Sequence, residues 1–157
     1  MNAAKWFATA FACILCTACE PARDEAGAIV GEGSLDAFSM QVGDCFNDTE
    51  ALQSEDEISS VPATPCSEPH DNEVFAIYDV DLAEFPGQEL MMERANEDCV
   101  AKFEAYVGRD YQSSELEVFA MAPSAESWVM RNDREVVCGL YHLESQKLTG
   151  SMQGSAR

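Results

Sequence analysis

Apolar and polar residues change rhythm several times along the chain, and each change marks a predicted element. Trp6 to Leu15 is an uncharged, mostly apolar run. Glu20 to Asp36 is acidic, carries Gly27, Gly31 and Gly33, and shows little periodicity; such a segment predicts a flexible tether that reaches about 20–25 Å as a random coil. Phe38-Ser39-Met40-Gln41-Val42 alternates apolar with polar, the two-residue period of a half-buried strand. Asn47 to Ser60 is polar and predicts a surface loop, and Val61 to Cys66, with Pro62 and Pro65, an edge or extended segment. Glu73 to Val80 is rich in β-branched and aromatic residues and predicts a strand.

After Pro86-Gly87 the period lengthens. Met92, Ala95, Cys99, Phe103 and Tyr106 recur at helical spacing and predict one helix over residues 88–107. Glu89 and Glu93 suit its positive N-terminal end, and Gly108 is placed as its left-handed cap. Leu116 to Met121 predicts a strand, Pro123 to Trp128 a turn or short helix, and Glu135 to His142 a last strand. Leu148 onward reads as a Gly/Ser-rich tail. The fold class is therefore α+β, a small antiparallel sheet with one main helix packed on one face. Its organisation is an N-terminal segment 1–18, a tether 19–36, one domain over 37–152 and a tail 153–157.

Charge narrows the partners. The chain holds 9 Lys+Arg against 29 Asp+Glu, a net charge of −20. Loss of residues 1–18 would remove only Lys5 among the charged groups and leave −21 over 139 residues. Phosphate binding needs a basic patch, so nucleic acid is a poor partner, and so is an anionic lipid surface. The acidic excess suits a solvated surface.

The first 18 residues have the plan of a secretory signal: Lys5, the apolar run to Leu15, then small residues before Cys19. The run meets Glu20, Arg23, Asp24 and Glu25, well short of the about 20 apolar residues that span a bilayer. Leu15-Cys16-Thr17-Ala18-Cys19 resembles a lipobox, the bacterial lipoprotein processing site, with Cys16 where an aliphatic residue usually stands. The resemblance implies lipidation of Cys19, hence a membrane partner held through a lipid anchor. Ordinary cleavage without lipid is the alternative. Cys16 and Cys19 also spell CxxC, but processing would separate them.

An exported small domain with four further cysteines, Cys45, Cys66, Cys99 and Cys138, implies two disulfides. Cys99 lies on the helix stripe, and Cys138 shares a strand face with Val136 and Leu140, so these two can pair where that face meets the helix. Cys45 and Cys66 end neighbouring extended segments and form the second bond.

Several stretches resemble the septum-formation domain of bacterial envelope proteins: Val42-Gly43-Asp44-Cys45-Phe46-Asn47-Asp48, Val61-Pro62, and Cys66-Ser67-Glu68-Pro69-His70-Asp71-Asn72-Glu73-Val74-Phe75-Ala76. Phe85-Pro86-Gly87, Cys99 with Phe103, Trp128, Asp133 to Cys138 and Leu148-Thr149-Gly150-Ser151 continue it. Asn132 stands where the pattern often has Gly. The resemblance implies an extracytoplasmic location and a link to septation or wall growth, through a protein or cell-wall partner. It brings no reaction and no cofactor.

Three constellations invite chemistry. Cys66-x-x-x-His70 and Cys138-x-x-x-His142 suggest zinc, but four residues along a strand span about 13 Å, too far for two ligands of one ion. His70, Asp71 and Glu73 could serve a small envelope hydrolase; the plainer reading is a turn in which His70 braces the Cys66 corner. Trp128 and Arg134 could bind a glycan; the plainer reading is a packed aromatic and an ion-paired arginine. The leading expectation is a non-catalytic binding or scaffolding protein with no metal. The alternatives are the hydrolase, and an acidic divalent-cation binder that would need at least three converging carboxylates.

Overall fold

The computed structural model describes residues 20–49 and 59–157. The segment expected to be a signal sequence, Cys19 and most of the acidic loop fall outside them. Six strands form one antiparallel sheet: β1 Gly33–Asp36, β2 Cys45–Phe46, β3 Ser60–Thr64, β4 Asn72–Asp79, β5 Leu116–Met121 and β6 Glu135–His142, in the spatial order β1-β3-β2-β4-β6-β5. Helix α1, Gln88–Val107, crosses between β4 and β5; the short α2, Ala125–Met130, lies between β5 and β6.

Helix α1 keeps the predicted bounds and ends on Gly108 at φ 82°, whose N–H bonds Glu104 O at 2.8 Å. Its buried row is Met91, Ala95, Cys99, Phe103 and Val107, a pure i+4 ridge, so Met91 and Val107 replace the expected Met92 and Tyr106. Those two are half-buried and flank the ridge. The ridge packs on Phe75, Val136, Cys138 and Leu140. The two-residue period of β6 sends Val137 to the opposite face, and Phe75 reaches the helix through a bulge between Val74 and Ala76.

The opposite face is closed by two residues of the expected tether, Ile29 and Leu35, and by Met40 just beyond it. All three are buried there against Phe46, Val61, Val74 and Val137. Strand β1 pairs with β3 from Gly33↔Ala63 to Asp36↔Ser60, and Pro21 is buried as well. Residues 21–36 are thus part of the domain. Their few apolar side chains are too sparse to show a period but large enough to cover one face of a small sheet.

Two further expectations change. Phe38 to Val42 is not a strand: Ala37–Ser39 is a 3-10 turn, capped by Asp36, whose carboxylate accepts from Phe38 N at 2.8 Å. Met40 turns inward while Phe38 and Val42 stay exposed. The segment with Pro62 is strand β3, second in the sheet rather than at its edge. The N–H and C=O of a strand residue point to the same neighbour. Pro62 O accepts from Asn47 N at 2.9 Å, so the missing N–H faces the place where the two-residue β2 has already ended.

Gly139 of β6 lies opposite Phe119 of β5. A Cβ at 139 would overlap the Phe119 ring, which is itself wedged edge-on against Phe46 and tilted on Tyr141. Gly139→Ala is therefore expected to destabilise the fold by about 1–3 kcal/mol through overpacking, read as a lower midpoint in urea unfolding.

Candidate functional site

The residues singled out by the sequence gather around two structural corners. The first is where β2, the end of β3 and the start of β4 meet. Cys45 and Cys66 are disulfide-bonded, with Cα atoms 5.2 Å apart. Cys45 is buried and Cys66 partly exposed. His70 is fully buried; its Nδ1 donates to Glu68 O at 2.8 Å. Its backbone forms an antiparallel bridge with Leu148, with N–O distances of 3.0 and 2.8 Å.

Glu73 is also fully buried. Its carboxylate accepts from Tyr106 Oη at 2.7 Å, Ser151 Oγ at 2.6 Å and Met152 N at 2.7 Å. One acidic side chain thus ties β4, α1 and the C-terminal segment together. Residues 148–157, expected to include a free tail, are fastened further by Gly154 N to Tyr106 O and Ala156 N to Val107 O, at 2.8 and 2.9 Å. Arg157 Nε reaches Glu115 at 2.5 Å and holds that carboxyl below its usual range, chiefly by hydrogen bonding.

Asp71 points outward and away from these two. It accepts from Lys147 Nζ at 2.7 Å and from Asp48 N at 2.9 Å. His70, Asp71 and Glu73 therefore share a strand entrance but not a cavity. The acid–base trio imagined for a hydrolase has two sealed members and one in a surface ion pair.

The second corner joins α2 to β6. Ser124 and Ser127 cap α2 reciprocally, each side chain accepting from the other's backbone N at 3.0 Å. Ser127 Oγ then donates to Asp133 Oδ2 at 2.8 Å. Trp128 is buried, tilted on Phe85 at 5.6 Å. The Arg134 guanidinium stacks on its ring at 3.4 Å and donates to Asp133 O at 2.6 Å and Trp128 O at 3.3 Å. The expected ion pair for Arg134 is replaced by this stack, which leaves no bare indole face for a sugar.

A third contact was not foreseen. Asp44, 1% exposed, accepts both terminal nitrogens of Arg23, at 2.5 and 2.7 Å, and Gln41 N at 2.8 Å. A bidentate pair of this kind is among the stronger charge-assisted contacts, and it fastens the N-terminal segment to the domain. Only the proximity of a lone Arg to the Gly-Asp-Cys stretch could have hinted at it.

The second disulfide, Cys99–Cys138, links α1 to β6 with Cα atoms 5.5 Å apart, and both residues are fully buried. Both bonds take the expected partners, so the zinc reading that joined Cys66, His70, Cys138 and His142 fails: its sulfurs are spent in two separate disulfides. Among the described residues, one group of three potential ligands comes close together, Cys45, His70 and Glu73, within 4.8 Å of one another. Three carboxylates do not converge there, as a calcium-type site requires.

Burial, with help from a neighbouring carboxylate, pushes up the pKa of Tyr106 beside Glu73, of Tyr78 beside Asp98 and of Tyr141 near Glu117. The folded chain then binds these protons more tightly than the unfolded chain, whose tyrosines ionise near 10.0. This contribution is complete below pH 10 and is lost as pH rises through the raised folded values. Urea midpoints are expected to hold level to about pH 9.5 and then fall, with a shallower fall for Tyr106→Phe.

Among the described residues no helix is long and apolar enough to cross a membrane. No curated protein and no solved structure matches the chain. The family model described as Septum formation matches residues 42–157. That span takes in both corners and both disulfides, and the chain belongs to the septum formation family.

Proposed function

We propose that the chain is an exported, lipid-anchored protein that acts without chemistry of its own, as a binding or scaffolding domain at the septum or growing wall. The observation that carries this reading is the contrast between the sealed polar residues and an open apolar face. His70 and Glu73 are sealed inside the fold. On α2, Val129 and Met130 are each 76% exposed, although Trp128 beside them is locked down. Arg131, at the end of the same helix, sits 4.4 Å above the ring of Phe38, another exposed apolar residue. A rigid helix that offers apolar side chains to solvent next to an aromatic suits a protein partner. The net charge of −20 adds a preference for a cationic one.

A photo-crosslinking residue at Val129, expressed in the native cell, tests this. Adducts are expected from position 129 and not from Glu104, on the exposed side of α1. Val129→Asp with Met130→Asp should abolish the adducts and disperse the protein from division sites while the domain stays folded. Unchanged localisation and crosslinking in that double variant would sink the reading. The anchor is tested separately, because Cys19→Ala should move the chain from the membrane to the soluble fraction.

A further inference from the structure

We propose that the corner holding Cys45 and Cys66 is a latent transition-metal site, which takes Zn²⁺ once that disulfide is reduced. His70 Nε2 is buried and has no hydrogen-bond partner among the described residues. Nδ1 faces a carbonyl oxygen, that of Glu68 at 2.8 Å, and must therefore carry the proton. In the neutral ring this leaves the lone pair on Nε2. A backbone carbonyl that fixes tautomer and ring orientation in this way is the usual support behind a metal-binding histidine.

One ligand atom from each of Cys45, His70 and Glu73 lies within 4.8 Å of the others, and all three residues are buried. Tetrahedral zinc with bonds of about 2.0–2.3 Å sets its ligand atoms roughly 3.3–3.8 Å apart, so a contraction of about 1 Å closes the site. Sulfur, imidazole and carboxylate together suit zinc better than calcium or magnesium. Cys66, bonded to Cys45 in the oxidised chain, supplies the fourth donor.

In the oxidised chain the Cys45 sulfur is committed to Cys66, and a disulfide sulfur is not a thiolate ligand. A dithiol reductant opens the site. One of its thiolates attacks Sγ of Cys66, the partly exposed partner, and Cys45 departs as a thiolate. The second thiol of the donor then displaces Cys66 and closes the donor's own disulfide. The protein gains two electrons and two protons, and metal binding releases the thiol protons to solvent. Cys99 and Cys138 are both fully buried, so their bond resists the same attack. The two bridges thus differ in role: one is a permanent brace, the other a reducible cover over a ready imidazole.

The test is titration of the full chain with Co²⁺ and then Zn²⁺, after mild reduction with a phosphine. Alkylation and mass mapping identify which thiols are free. One equivalent of Co²⁺ is expected to bind, with a thiolate-to-metal absorption band that Zn²⁺ displaces, and none in the oxidised chain. His70→Asn, which removes a direct ligand, should weaken the affinity by more than the about 10–100-fold that loss of an outer-shell partner costs, whereas His142→Asn should leave it unchanged. X-ray absorption of the wild-type zinc form gives a count that depends on no variant: two sulfur and two nitrogen or oxygen ligands. Equal binding by oxidised and reduced chains, equal binding by His70→Asn, four sulfur ligands, or a reduced chain that unfolds and is not restored by Zn²⁺ would each overturn the proposal.

Discussion

Glu73→Ala is expected to release residues 148–157 from the sheet and to lower the unfolding free energy by about 3–4 kcal/mol. The substitution strands Tyr106 Oη and Met152 N, both within the fold, and an unsatisfied buried donor costs about 1–3 kcal/mol. The exposed Ser151 hydroxyl turns to water and adds little. Leu148 and Met152, buried against the helix cluster, then lose the contact that holds their segment down. Hydrogen exchange resolves the local from the global effect. The amides of Met152, Gly154 and Ala156 should lose protection first, since they bond to Glu73, Tyr106 and Val107, while those of β6 lose only what the global change removes. Glu73→Gln keeps one acceptor oxygen and should fall between alanine and wild type. Uniform loss of protection across the chain would mean that Glu73 supports the whole core and not the C-terminal latch.

The double variant Cys99→Ser/Cys138→Ser should produce the other large effect. The bond closes a sequence separation of 39, which corresponds to about 4 kcal/mol of unfolded-chain entropy at 25 °C. For a chain of this size that is a fall in Tm of roughly 10–15 °C. The Cys45–Cys66 bond, with a separation of 21, is worth about 3.3 kcal/mol on the same reckoning. Burial widens the gap. Serine at 99 or 138 places a hydroxyl beside Phe75, Phe103 and Val136 in a fully apolar cluster, whereas Cys66 lies at the surface edge. Thermal unfolding under non-reducing conditions should rank the two variants in that order, and the reverse order would place the mechanical centre of the domain at the β2–β3 corner.

The helix, the three long strands and the disulfide partners were legible because each rests on a local signal. The residues of α1 and β6 carry their period over 20 and 8 positions, and Cys99 and Cys138 fall on the faces those periods bury. What escaped depends on contacts between distant residues. Ile29, Leu35, Leu148 and Met152 are single apolar residues in acidic or Gly/Ser-rich stretches, where no period can form, yet each is buried. Glu73 was legible as a strand residue beside the turn of His70 and Asp71, but not as a buried anchor. Its partners stand 33 and 78 positions away, and no spacing rule connects them. Arg134 was read from its charge; its neighbour in the fold is an aromatic face. The stretch Phe38 to Val42 had the alternation of a strand, but the Asp36 cap wound it into a turn instead.

The grip of Asp44 on Arg23 has a mechanical consequence for any lipid on Cys19. With Pro21 already buried, only Glu20 would stand between an acylated Cys19 and the folded body, two steps of chain that reach about 7 Å at full extension. That is less than the roughly 8 Å over which physiological salt screens charge. The acidic body would ride flush against the headgroups, turned by their repulsion so that its most negative side looks outward. Breaking the clasp with Arg23→Ala would lengthen the leash and let the body swing.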